Sequence, residues 1–123
     1  MSPWGEIMVL DAPIETSDLR RLVQEQYGDM VKFVVDIARE RIAIGGDLHA
    51  DEEAVLLEAG SRQQDLWGGN YYPGRGPDEC IEYTSMINIR PSMENFGMEI
   101  TLESVRSRVQ GIAHRLIGRG EGI

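Results

Sequence analysis

Cysteine, long apolar runs and basic charge are all scarce in this 123-residue chain. A single cysteine, Cys80, excludes an intramolecular disulfide and fits a reducing compartment, so the expected location is the cytoplasm. No stretch approaches the ~20 apolar residues that cross a bilayer, and Met1 to Glu6 contains no basic region leading into an apolar one. Neither a membrane span nor a signal peptide is therefore expected. Only 12 Lys and Arg face 21 Asp and Glu, for a formal net charge of −9. A nucleic-acid binder needs cations to neutralise phosphates, so no nucleic-acid partner is expected. Also missing are a Walker A pattern, a dinucleotide-binding glycine fingerprint, a serine-hydrolase elbow and a paired-cysteine zinc motif. There is no internal repeat.

What is present suits one domain over residues 1–123 with an ordered core from about 6 to 118. A chain of this length can bury roughly two-thirds of the surface it exposes when unfolded. Glu6 to Leu10 reads as a short buried strand. Thr16 or Ser17 then caps a helix whose apolar stripe is Leu19, Leu22, Val23, Tyr27 and Met30. Val31 to Gly46 is rich in β-branched residues and reads as a hairpin turning near Arg39-Glu40. A short helix from about Ala50 to Ala59 follows, with Asp47 and Asp51 as candidate caps and Gly60 as its stop.

Asp65 to Pro73 is strongly punctuated by glycine and aromatics and leads into the loop Gly74-Arg75-Gly76-Pro77, which reads as a hairpin connection. Cys80 to Arg90 alternates most clearly: Ile81, Tyr83, Ser85, Ile87 and Ile89 on one face, Glu82, Thr84, Met86, Asn88 and Arg90 on the other. Met98 to Ile100 reads as a further short strand. Thr101 caps a last helix with Leu102, Val105, Val109, Ile112, Ala113 and Leu116 inward and Gly118 at its end. The order predicts an α+β fold, a mostly antiparallel sheet with about three helices packed on it.

Three groups of residues are candidates for chemistry. His49, Asp51 and Glu53 offer one imidazole nitrogen and two carboxylates, a set that suits a divalent metal at a strand-to-helix junction. Glu82, Thr84, Asn88 and Arg90 would project from a rigid strand and could hold a small polar ligand, with Arg90 as a bidentate partner for an anion. Trp67, Asn70 and Tyr72 lie among glycines, where aromatics build a ligand wall, a subunit interface or a core. Cys80 has no base beside it in sequence, and His114 lies near the polar edge of the last helix.

Charge is uneven along the chain. Asp47, Asp51, Glu52, Glu53, Glu58, Asp65, Asp78, Glu79 and Glu82 face only Arg62 and Arg75 in the middle. After Thr101, Arg106, Arg108, Arg115 and Arg119 face only Glu103 and Glu121. Complementary halves of this kind can attract within a chain or between two copies.

From about Ile7 to Ile117 the chain resembles a small prokaryotic domain family of unknown function. The residues that carry the resemblance are Gly45-Gly46-Asp47-Leu48-His49-Ala50-Asp51, Asp65-Leu66-Trp67-Gly68 and Ile87-Asn88-Ile89-Arg90-Pro91-Ser92. It implies a small bacterial or archaeal protein and supplies no established activity or catalytic residue. Members often carry a Gly-Asn-Arg-Ser-like stretch after Arg-Pro-Ser, from which Glu94-Asn95-Phe96-Gly97 departs here.

Together these features lead to the expectation of a non-catalytic binding or interaction module acting as a homodimer, without a cofactor. One alternative is a metal-dependent hydrolase using His49 with Asp51 or Glu53 as ligands. Another is a regulatory, antitoxin-like partner of a basic protein, since an acidic face can meet a basic one.

Overall fold

In the computed structural model, which describes residues 7–123, five strands form one antiparallel sheet. They are β1 (Met8–Leu10), β2 (Val31–Asp36), β3 (Arg41–Ile44), β4 (Leu66–Tyr71) and β5 (Ile81–Glu82), in the order β1-β3-β2-β4-β5. Three helices pack on them: α1 (Thr16–Gln26), α2 (His49–Glu58) and α3 (Glu103–Leu116). The α+β architecture follows from the sequence as read. Glu6, expected to open β1, lies outside the described residues, as does the rest of the N-terminal segment read for a leader.

The β2–β3 hairpin turns where expected, and Asp36 closes it. Its Oδ1 accepts from the Ala38 and Arg39 N–H groups at 2.9 Å, and its Oδ2 accepts from Ser61 Oγ at 2.6 Å. Because β3 folds back between β1 and β2, β2 becomes a central strand and its Val-Lys-Phe-Val-Val run is buried on both faces. Such a strand shows little alternation, which is why the run also looks helical.

Each sheet face has its own core. Leu10, Phe33, Val35, Ile42, Ile44, Trp67 and Tyr71 face α1 and α3, meeting Leu19, Leu22, Val23, Val109, Ile112 and Leu116. On the opposite face, Val34, Ala43 and Leu66 meet Leu56 of α2, with Ile87 packed against them. This second cluster is small, and α2 covers only part of its face.

Several expectations are corrected. No cap side chain bonds a helix start: the capping positions are Glu15, Leu48 and Leu102, so Thr16, Ser17, Asp47, Asp51 and Thr101 do not serve. Thr101 instead donates its N–H and hydroxyl to Asn95 Oδ1. Tyr27 ends α1 in an exposed position.

The punctuated 65–73 stretch holds β4, buried along its whole length, and the Gly74-Arg75-Gly76-Pro77 loop joins it to the antiparallel β5 as the expected hairpin connection. Conversely, the Cys80–Arg90 strand is only Ile81–Glu82, followed by an isolated bridge from Thr84 to Glu99 and a 3-10 turn at Met86–Asn88. Met98 to Ile100 contributes that bridge rather than a strand. The basic helix α3 finds its carboxylates outside the acidic middle: Arg106 pairs with Glu99 at 3.3 Å and Arg115 with Glu40 at 3.0 Å.

Candidate functional site

Beyond the reach of α2, the second sheet face carries a polar row. Lys32 on β2 pairs in register with Asn70 on β4, and Asn70 with Glu82 on β5. Directly paired residues share a face, so three polar side chains stand on adjacent strands about 4.8 Å apart. Lys32 is the single lysine of the chain.

Next to Asn70 on the same face stands Gly68, two residues back along β4. The missing side chain makes room: a Cβ there would lie 2.7 Å from Ser85 Cβ and 3.2 Å from His49 Cδ2. His49, the first residue of α2, thus sits on the sheet with its Nε2 2.8 Å from Gly69 O. A carbonyl only accepts, so Nε2 carries the hydrogen and Nδ1 is the acceptor nitrogen. Burial lowers the His49 pKa and Lys32 lowers it further, while hydrogen bonding to the Gly69 carbonyl and to the Asn70 side chain partly opposes this. The ring is neutral at pH 7.

Asn70 is 6% exposed. Its Nδ2 donates to Glu82 Oε1 at 2.7 Å, while its Oδ1 is closed to solvent and makes no well-aligned hydrogen bond, the Asn70 side chain lying close enough to His49 to raise the imidazole pKa. An unfilled buried acceptor costs about 1–3 kcal/mol, which makes this oxygen the most unusual atom of the row.

Above the row lies a cavity of about 380 Å³. Lys32, His49, Asn70, Thr84 and Ser85 supply its polar side, and Leu48, Ala50, Met86, Ile87 and Met98 its apolar wall. Three of these wall residues are solvent-exposed: Leu48 at 59%, Met86 at 73% and Met98 at 44%. Thr84 also borders a smaller cleft of about 250 Å³, where the Arg75 guanidinium stacks 3.8 Å over Tyr72 and Arg106 4.0 Å over Tyr83.

One turn into α2, Glu52 is fully buried. Its Oε2 accepts from the Gly46 N–H at 3.0 Å, and its Oε1 has no partner. Burial raises its pKa well above the ordinary 4.5, outweighing the Gly46 hydrogen bond and the Lys32 charge. The native state therefore holds a proton that the unfolded chain releases. This contribution is full below about pH 4.5 and declines as pH rises through the raised pKa. Glu52→Gln keeps an acceptor for Gly46 and removes the titration. The variant is expected to melt several degrees above the parent chain at pH 7 and to converge with it near pH 4. Thermal melts at the two pH values check this, and a gap that widens towards acid contradicts it.

The sequence-derived site residues divide. Asn70, Glu82 and Thr84 meet at or beside the cavity, and Tyr72 reaches Glu82 Oε1 at 3.4 Å from the outer side. Trp67 is fully buried in the first core, so it forms no ligand wall. Asn88 and Arg90 do not share a sheet face with Glu82, because the strand ends before them.

Both side chains bind backbone instead. Asn88 Oδ1 accepts from Gly68 N–H at 2.8 Å, and its Nδ2 donates to the carbonyls of Gly68 and Met98 at 3.0 Å. Arg90 donates to the carbonyls of Gln64, Leu66 and Ile87 and stacks 4.2 Å over Trp67.

The three metal candidates turn to different surroundings: His49 to Gly69 and Asn70, Glu53 to Arg90 and Gln63. Asp51 sits between them on the helix, at a position i+2 that faces away from both. Among the described residues no group of three His, Cys, Asp or Glu is placed to hold a metal ion. Cys80 Sγ lies 3.9 Å from His114 Nε2, yet burial pushes the thiol pKa up and keeps it protonated.

Lys32, Ser85, Leu48, Met86 and Met98 were not among the sequence candidates. Lys32 did leave a signal, as the lone polar residue inside the β2 run; the exposed methionines left none.

The fold and cavity define a small α+β domain whose sheet is covered on one face and partly open on the other. The chain belongs to a family described as proteins of unknown function (DUF5674), whose sequence model matches residues 8–116. Comparison with curated proteins and with solved structures finds no match. Among the described residues no helix is long and apolar enough to cross a membrane.

Proposed function

We propose that this protein is a non-catalytic binding module whose cavity takes a small amphipathic ligand. The observation that carries the reading is a cavity of about 380 Å³ walled by Leu48, Met86, Ile87 and Met98, with Lys32, His49, Asn70, Thr84 and Ser85 at its polar side. Concave, mostly apolar sites with a few placed polar groups are the usual form of small-molecule pockets. Non-catalytic action is supported by the protonated, buried Cys80 and by a neutral His49 whose Nε2 hydrogen is engaged by a carbonyl. A general base or nucleophile needs a partner arranged to activate it. The metal-dependent hydrolase has less support, since His49 and Glu53 face different neighbours.

Hexanamide combines a short apolar chain for the methionine wall with a polar amide for the Lys32 and Thr84 side and is a suitable first probe. In methyl NMR, its titration is expected to shift the Met86 and Met98 methyl signals saturably, leave Met8 and Met93 in place, and return hexanamide unchanged. No shift, or an equal shift of all four, overturns the reading.

A further inference from the structure

Resting on that reading, we propose that the ligand is a free aliphatic monocarboxylate, its carboxylate on Lys32 and its chain against the methionine wall. Among the side chains that line the cavity only Lys32 and His49 can carry charge, and the His49 ring is neutral. Lys32 is therefore the single charge of the lining. Among the described residues no carboxylate forms an ion pair with its ammonium, which rests 5.4 Å from the centroid of the Tyr27 ring. Glu82 lines the neighbouring cleft with Arg75 and Arg106, and Glu52, buried one turn into α2, holds a proton. An anion entering the cavity thus meets a cation that no acid has neutralised.

The neutral groups beside Lys32 have donors to spare. Ser85 Oγ accepts from the Ile87 N–H at 3.3 Å, and neither its own hydrogen nor that of the Thr84 hydroxyl meets an acceptor among the described residues. With the ammonium, these make a set of donors for which an ionised carboxylate, an acceptor at both oxygens, is the complement. Leu48, His49 and Ala50 belong to the start of α2, which no side chain caps, so the positive end of that helix borders the same space. An amine would instead be repelled by Lys32. From the carboxylate the ligand's chain extends along Met86, Ile87 and Met98, where the thioethers adapt to aliphatic chains of different shape. About 380 Å³ suits one headgroup and one short chain.

Methyl NMR titrations of Met86 and Met98 with hexanoate, hexanamide and hexylamine test this, because the three share a short chain and differ in charge. Hexanoate is expected to saturate both signals about tenfold more tightly than hexanamide, with hexylamine weakest. Acetate, a headgroup without a chain, is expected to leave both signals in place. Lys32→Met, confirmed as folded by a cooperative melt, is expected to weaken hexanoate about tenfold and hexanamide by less than about threefold. Hexanamide or hexylamine binding as tightly as hexanoate, acetate matching it, or hexanoate unchanged by Lys32→Met overturns the proposal. Should Lys32→Met not fold, the ranking of the ligands on the parent chain decides. Shifts with hexanamide and none with hexanoate overturn the carboxylate alone; no shift with either overturns the cavity reading as well.

Discussion

Asn88→Ala is expected to lower the unfolding free energy by about 4 kcal/mol, measured as a shift of the urea midpoint at unchanged slope. The size follows from where the three hydrogen bonds of this side chain go. β5 pairs only with Asn70 and Tyr71, so the edge of β4 from Leu66 to Gly69 has no strand beside it. An uncovered edge presents donors and acceptors that must be satisfied. The Asn88 amide stands in for a strand peptide, accepting from Gly68 N–H and donating to Gly68 O, and Arg90 takes the carbonyl of Leu66. Alanine leaves the buried Gly68 N–H and carbonyl unpaired at about 1–3 kcal/mol each, and loses the Met98 contact as well. Asn88→Asp keeps the acceptor but sets a carboxylate against two carbonyls, so it should be no milder at pH 7. A change below 1 kcal/mol in the alanine variant would show that the edge is sealed by something else.

This arrangement explains why the clearest alternation in the sequence misled. Ile81, Tyr83 and Ser85 do turn inward as a strand would place them. Past Ser85 the pattern of residue types continues, yet the backbone turns so that an amide and a guanidinium can reach back to β4. Hydrophobic periodicity assumes that one backbone geometry persists, and here the turn after Ser85 shifts the phase, burying Asn88 and leaving Ile89 exposed. The helix stripes of α1 and α3 were legible because each faces one core with the other side wet. Their capping residues were not, since a Thr or Asp near a helix start bonds locally only if the entering chain leaves its side chain free. Thr101 is held by Asn95 instead.

The site was legible only in part for a related reason. Asn70, Glu82 and Thr84 stood out as polar groups in an apolar neighbourhood, and the register of β4 with β5 brings the first two into contact. Lys32 joins them from a strand distant in sequence, which no spacing rule reveals. Glu52 read as one of three acids at a helix start, whereas α2 turns it onto Gly46 and leaves Asp51 and Glu53 less buried. The Gly45-Gly46 pair was the sole hint, because a Cβ at Gly46 would lie 3.0 Å from Glu52 Cγ.

Gly69→Ala is expected to cost about 3 kcal/mol, while Gly111→Ala in the same urea experiment stabilises by about 0.5–1 kcal/mol. Glycine in a strand interior weakens it and often marks a close approach by other groups. Here the approach comes from both directions: a Cβ on Gly69 would lie 2.8 Å from Phe33 Cζ and 2.9 Å from the Glu82 carbonyl oxygen. Phe33 is fully buried and the Glu82 oxygen belongs to β5, so neither can yield cheaply. Relief requires β5 to move away from β4, which also disturbs the Asn70–Glu82 contact. Gly111 lies on the exposed face of α3 with nothing within 4 Å of its Cβ position, so alanine there only restores helix propensity. Opposite signs at the two glycines would establish that the pair read as punctuation in the sequence is a packing device, with Gly69 admitting Phe33 on one face and Gly68 admitting His49 and Ser85 on the other. Equal, small effects at both would mean that β4 tolerates side chains there, and the floor of the cavity would then lose its physical explanation.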